Sequence, residues 1–342
     1  MGERKAKIGD VARVVGVSIM TVSRAIRGIE GVSQARRDEI LRVARELGYR
    51  PNRNAISLAA AHSDLIGISL PNFHNEVFAD ILEGMRRTFD RAGFDTLLDM
   101  SDYDIDREAN WIERMIDWRV AGIILCGIDH APEVAGRLRQ ASIPTLEVWD
   151  HTDDPIDVCV GIDHEATGVM LGRHLVAAGY RRATYIGVSA DHDPRAEKRL
   201  RGLAAAFAGA GAPPIGVERV DRHASFEAGM AGTLAALGRG GEQPDVLCYL
   251  NDHMAFGGLA TCEARGLAVP DDIGVAGFNG LGINEVLPRR ITTVVTPRRQ
   301  MGEKGAQALL ARIRGVKSAR ALGLTCELRV GGTTRVRSLP VR

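Results

Sequence analysis

Cysteine is scarce and badly placed for chemistry. Cys126, Cys159, Cys248, Cys262 and Cys326 are scattered, odd in number and never at metal-ligand spacing, so they read as core thiols of a reducing cytosol. The nine histidines are dispersed and form no HExxH zinc pair. There is no GxxxxGK[ST] phosphate loop and no GxSxG nucleophile elbow. Gly274, Gly277 and Gly280 make GxxGxxG, which is not the dinucleotide spacing and reads as a tight turn. Glu147 and Asp150 resemble paired carboxylates, but a hydroxyl-rich ligand also needs acceptors, without catalysis. The expectation is a non-enzyme with no metal and no cofactor. No apolar run is long enough to span a bilayer, and MGERKAKIGD is followed by no secretory apolar stretch, so a cytoplasmic protein with no membrane partner is expected.

What the chain does have is an uneven charge distribution. The formal net charge of +1 hides 12 Lys/Arg against 6 Asp/Glu in residues 1–60, and 32 against 37 in the remainder. A basic amino end beside a mildly acidic body suits a module that neutralises phosphates, attached to a body that does not. At 342 residues and 45% hydrophobic content, the chain has room for two or three domains with sizeable cores.

The basic end contains IGDVARVVGVSIMTVSRAIR, Ile8 to Arg27. Ile8, Val11, Ala12 and Val15 give a first helix one apolar face, Gly16 permits a turn, and Ser18 can cap a second helix whose buried side is Val22, Ala25 and Ile26. Ile19, Met20, Ser23, Arg24 and Arg27 lie on the other side, where hydroxyls and guanidinia fit phosphates and base edges in a major groove. A hairpin whose arginines are merely solvated is the alternative reading. A third helix follows, capped by Ser33, with Ile40, Val43, Ala44 and Leu47 in register and Gly48 and Pro51 ending it. Asn52 to Ala61, NRNAISLAAA, lacks the Gly/Ser or Pro richness of a flexible tether. It reads either as a weak helix bridging two domains or as a segment that folds on DNA, with Leu58 as an apolar wedge in the minor groove.

From Leu65 onward, ten short apolar runs alternate with amphipathic helices. The pattern implies an α/β body of parallel sheets covered on both faces. A split near Asp163 makes two doubly wound lobes, with a ligand expected in the cleft beyond the strand ends. Asn72, Phe73, Glu147, Asp150, Asn251, Asp252 and Asn279 stand just past those ends, although each also fits a turn or helix cap.

Four motifs in this order, DVARVVGVSIMTVSRAI, GVSQARRDEILRVARELGYRPN, PDDIGVAGFN and TTVVTPRRQMGEKGAQALLARI, resemble the LacI/GalR family of transcriptional regulators over essentially the whole chain. The resemblance implies a helix-turn-helix headpiece (1–51), a hinge helix (52–63), a two-lobed core shaped like periplasmic binding proteins (64–333) and a tail (334–342). The first lobe would comprise about 64–162 and 292–323, the second about 163–291 and 324–333. It assigns base reading to Ile19 and Met20 and backbone or neighbouring-base contacts to Ser18, Thr21, Ser23 and Arg24. Leu58 becomes the hinge leucine, and Arg27 and Asn52 complete the DNA-contacting set.

The family's effector-contacting arginine falls on Arg199 of RLRG, and its strand-end Asn-Asp pair on Asn251 and Asp252. Where many sugar-binding members carry Asp, GFNGL places Asn279; an amide does not repel an anionic ligand, and Arg195 and Arg199 supply matching cations. LPNFHNEVFADILEGM and LEVWDHTDDPIDVCVGID resemble the gluconate-repressor branch. The expectation is a homodimer that represses sugar-acid uptake or catabolism and leaves double-stranded operator DNA when a small-molecule effector, a sugar acid such as gluconate, binds between the lobes. An activator or purine-responsive member is the near alternative. A solute-binding protein or a sugar-processing enzyme is the distant one.

Overall fold

A computed structural model of the chain describes residues 6–26, 28–49, 63–72, 76–189, 193–317 and 319–336. The chain divides into two compact units, Met1–Ser63 and Asp64–Arg342. In the first, helices α1 (Ile8–Val15), α2 (Ile19–Ile26) and α3 (Gln34–Glu46) enclose Val11, Ala12, Val22, Ala25, Ile40, Val43 and Ala44. Their starts are fixed by local polar contacts. The Lys7 amide donates to Asp10 at 2.9 Å, the Ser18 hydroxyl accepts from the Thr21 amide at 3.1 Å, and the Ser33 hydroxyl accepts from the Arg36 amide at 3.4 Å. Gly16 closes α1 at φ +71°, a left-handed conformation that a side chain would strain. Leu47, expected on the apolar stripe of α3, is instead its exposed C-cap, because the helix stops at Glu46. The expectations for Arg27, for the hinge segment with Asn52 and Leu58, and for Phe73 fall outside the described residues.

The second unit holds two six-stranded sheets. The first contains β1 (Leu65–Leu70), β2 (Asp95–Met100), β3 (Gly122–Cys126), β4 (Thr145–Asp150), β5 (Val158–Ile162) and β11 (Ala321–Gly323), all parallel, in the order β11-β5-β4-β3-β1-β2. The second contains β6 (Ala183–Val188), β7 (Gly216–Val220), β8 (Val246–Tyr249), β9 (Gly274–Asn279), β10 (Thr292–Val295) and β12 (Glu327–Arg329), in the order β12-β10-β9-β8-β6-β7. Among the described residues of this sheet only β12 runs antiparallel. Among the described residues eight helices cover the sheets: α4 (Glu76–Ala92), α5 (Ile105–Asp117), α6 (Pro132–Ala141), α7 (His164–Ala177), α8 (Pro194–Gly209), α9 (Phe226–Gly238), α10 (Asp252–Ala264) and α11 (Arg298–Ile313).

Strands buried on both faces, such as β1, β3, β4, β5, β8 and β9, read as nearly continuous apolar runs, and all ten runs expected from the sequence fall on strands. Helices α4 and α11 pack on one face of the first sheet; on the other, Trp111, Ile112 and Met115 of α5 meet Val134 and Leu138 of α6 over Ile123 and Leu125. Helices α4 and α11 cross closely because Gly84 faces the Arg299 carbonyl and Gly302 faces the Ile81 carbonyl, where any Cβ would overlap. In the second lobe, α7 pairs with α8 and α9 with α10.

Two expected boundaries are corrected. Residues from 292 were assigned to the first lobe, yet β10 pairs with β9 and β12 inside the second sheet. The apolar run is compatible with either sheet, and local bonds decide. The Asn284 side chain holds Ile291 through both its amide and its carbonyl, and the Thr293 hydroxyl donates to Asp252. The chain returns to the first lobe only after Thr296, through α11. The expected tail is also anchored at its start. Thr334 is buried and shares hydrogens with Thr292 at 2.7 Å and His174 at 3.1 Å, and the Arg335 guanidinium lies over the Tyr180 ring.

Candidate functional site

On the first unit, α2 turns Val22 and Ala25 inward and leaves Ile19 and Met20 55% and 66% exposed. Large apolar side chains gain nothing from water, so their exposure at the start of a capped helix is the feature to explain. Ser18 and Thr21 also share a hydrogen at 2.9 Å, which fixes both hydroxyls at the same helix start.

In the second unit the first sheet reverses its strand order between β1 and β3, and a cavity of about 130 Å³ opens at that point. Pro71 after β1, Ser101 and Tyr103 after β2, Cys126 and Gly127 at the end of β3, and Glu108 of α5 form one side. Pro194 and Arg195 of the second lobe close the other. The turn after β2 holds Asp102 and Tyr103 at φ +54° and +63°, a strained conformation that brings the Tyr103 ring under the Arg195 guanidinium.

Arg195 and Arg199, one turn apart on α8, are both buried and meet at Asp193. Nε of Arg195 donates to Asp193 Oδ1 at 2.9 Å, and Nη2 of Arg199 to Oδ2 at 3.3 Å. Burial opposes charge on Asp193, but the two guanidinia outweigh it and bring the carboxyl down to about 2. Arg195 also reaches the Cys126 carbonyl in the first lobe at 3.3 Å. Arg199 lies 4.3 Å over the Phe278 ring and donates to His164 at 3.0 Å. Next to them, Lys198 of the second lobe pairs with Asp150 of the first at 2.5 Å. Asp193 and Lys198 were not expected from the sequence; their proximity to Arg195 and Arg199 on α8 was the available signal.

Other expected residues go elsewhere. Glu147 points into the first lobe, where Oε2 accepts from the Ile156 amide at 2.7 Å and Oε1 stands 3.5 Å from His130. Asp252 is spent on the second lobe, accepting from the Leu281 amide at 2.8 Å and the Thr293 hydroxyl at 2.7 Å, and burial pushes it up to about 6. Asn251 is a helix cap, accepting from the Met254 amide at 3.0 Å. Asn72 is half-buried after β1.

Asn279 ends β9 at φ +111°, buried, and among the described residues its Oδ1 has no hydrogen-bond partner. Its carbonyl accepts from Arg298, which also grips Asp80 of α4 at 2.8 Å and so ties the second lobe to the first. Among the described residues no cluster could hold a metal ion, and no helix is long and apolar enough to cross a membrane.

Residues 7–52 match the model for bacterial regulatory proteins of the lacI family, and residues 173–334 match that for a periplasmic binding protein-like domain. The chain is 36% identical to the HTH-type transcriptional regulator GntR of Escherichia coli (strain K12), across 97% of this chain and 100% of that one. It is 33% identical to the HTH-type transcriptional regulator IdnR of the same strain, across 92% and 94%. A crystal structure of a LacI-family transcriptional regulator from Silicibacter pomeroyi superposes with a TM-score of 0.89 at 32% identity, across 96% of this chain and 99% of that one.

Proposed function

Because this chain belongs to the LacI family of DNA-binding transcriptional regulators, we propose that it is a homodimeric, cytoplasmic repressor of sugar-acid uptake or catabolism, released from its operator by an effector bound between its lobes. The observation that carries the effector reading is the pair of buried guanidinia of Arg195 and Arg199, converging on one carboxylate beside a cavity at the strand-order reversal. A site that already stabilises a buried carboxylate has the donors a ligand carboxylate needs, since guanidinium binds such groups with directed, charge-assisted bonds. Asn279 supports the same reading, because an orphaned buried amide oxygen is satisfied by a ligand hydroxyl and its amide does not repel an anion.

Ile19 and Met20 read base edges, Ser18, Thr21, Ser23 and Arg24 hold the backbone or neighbouring bases, Arg27 and Asn52 complete the DNA-contacting set, and Leu58 wedges at the operator centre. Two copies meet a pseudo-palindrome. Phe226, Met230 and Leu234, four residues apart along α9 and all exposed, give the second copy an apolar face to cover.

Titration of a labelled operator, with and without gluconate, related sugar acids, their phosphates, neutral sugars and purines, tests this reading. A sugar acid should lower operator affinity by the 5- to 150-fold typical of allosteric coupling. No response to any sugar acid, with a clear response to a purine or neutral sugar, overturns the choice of effector.

A further inference from the structure

Behind the cavity lies a buried chain of three ionisable groups, of which Glu108 and His130 have no DNA or effector role assigned above. Glu108 of α5 lines the cavity. Its Oε1 is 2.8 Å from Nδ1 of His130, whose Nε2 is 3.5 Å from Oε1 of Glu147 on β4. All three side chains are buried. Glu147 is closed off at its far end by the Ile156 amide, whereas among the described residues Glu108 Oε2 has no hydrogen-bond partner. Burial opposes charge on His130, but the two glutamates overcome it and raise the imidazole to about 9, so it is protonated at neutral pH.

We infer that Glu108 is the hydroxyl-reading carboxylate of the effector cavity, and that His130 and Glu147 are positioned to aim it. The inference rests on the reading of this cavity as the effector site. First, a buried ion cluster is an expensive way to join a helix to a sheet: well-packed apolar residues of similar volume are as stable or more so. Trp111 and Ile112, three and four residues further along α5, do that joining with apolar surface. Second, the bond to His130 occupies one oxygen and fixes the carboxylate plane, which leaves the second oxygen with acceptor capacity and no donor of its own.

Third, the cavity is polarised. Glu108, with Asp129 nearby, presents acceptors on the first-lobe side, and Arg195 presents donors on the second-lobe side. A polyhydroxy acid matches both walls, with its carboxylate toward the guanidinium and its hydroxyls toward Glu108. Glu147, marked by the sequence as a direct contact, then acts at two removes through His130.

Calorimetric titration of the full-length protein provides the test. Glu108→Gln keeps the shape but exchanges a charge-assisted acceptor for a neutral amide, and should weaken gluconate binding by about 10- to 100-fold with operator affinity of the ligand-free protein unchanged. His130→Gln should also weaken binding, and the double variant should lose no more than Glu108→Gln alone, as expected when one residue acts through the other. Gluconate affinity within twofold of wild type in Glu108→Gln overturns the inference, and additive losses overturn the positioning role.

Wild-type protein supplies a second measurement that does not depend on variant folding. Hexanoate, with the same carboxylate and chain length but no hydroxyls, should bind far more weakly than gluconate, and equal affinity overturns the inference. Wild-type protein that binds none of the sugar acids and neutral sugars overturns the effector reading together with this one. Retained sugar-acid binding with an indifferent Glu108 overturns this one alone.

Discussion

Nη1 of Arg199 lies 3.0 Å from Nδ1 of His164, and Nε2 of His164 lies 3.1 Å from the carbonyl oxygen of Trp149. A guanidinium only donates, so Nδ1 accepts and Nε2 carries the hydrogen given to Trp149. Burial and the neighbouring Arg199 charge pull His164 well below its ordinary value, which keeps it in this neutral form. His164 opens α7 where the chain passes from the first lobe into the second, and Trp149 sits on β4 at φ +81°. The arginine proposed to meet the effector is thus bonded, through one imidazole, to the backbone of the other lobe.

Replacing His164 by Leu leaves Arg199 short of one acceptor and the Trp149 carbonyl without its donor. Stability should fall by roughly 2 kcal/mol, and effector-induced release from operator should weaken more than effector binding does. His164→Gln, with an acceptor and a donor on one amide, should recover most of both. Thermal melts and operator titrations read the two effects. Intact coupling in the Leu variant would remove the relay.

Asp193→Asn should separate stability from ligand response. Without its charge, Arg195 and Arg199 lose their shared counter-ion in a buried site, a loss of about 3 kcal/mol or more where no water enters. An anionic effector replaces that counter-ion, so the ligand-induced rise in melting temperature should be larger than in wild type. A smaller rise would show that Asp193 cooperates with the ligand rather than standing in its place.

His130 predicts a pH dependence. Its folded value of about 9 lies above the ordinary histidine value of 6.5, so the folded state binds the proton more tightly. The resulting stabilisation is complete below the unfolded value and is lost as pH rises from about 6.5 through 9, by an amount on the order of 1–3 kcal/mol. Urea unfolding at pH 6.5 and 9 should show the loss in wild type and little of it in His130→Gln. An equal loss in both proteins would assign the effect to other groups.

In the headpiece, Met20→Ala should leave the melting temperature of this unit unchanged and alter the preferred operator bases, because Met20 is exposed. Val22→Ala, two residues away and fully buried, should instead destabilise the three-helix core and weaken binding to every operator alike. Circular dichroism and anisotropy against an operator library distinguish the two. A uniform loss from Met20→Ala would count against base reading.

Periodicity, caps and turn residues made the headpiece helices and the ten main strands legible, because each depends on neighbours within a few residues. The short β11, three residues long, carried no such signal. Strand β10 was recognisable as a strand, but not its sheet: an apolar run buries equally well in either lobe, and the choice rests on Asn284, seven residues before Ile291, and on Asp252, 41 residues before Thr293. Asn251 and Asp252 looked alike as polar residues past a strand end. One proved to be a cap and the other an internal brace, since a one-residue step along the chain turns the side chain to a different wall.

The sequence alone determined the class of molecule: a basic helix-turn-helix unit followed by paired α/β lobes, with no motif for catalysis. These properties follow from local pattern and composition. Tertiary structure decided which charged groups meet. It set Asp193 between Arg195 and Arg199, joined Lys198 to Asp150 across the lobes, turned Glu147 away from the cavity and put Glu108 in its wall. The energy of a buried charge depends on what surrounds it within a few ångströms, and those neighbours come from strands and helices that only the fold brings together.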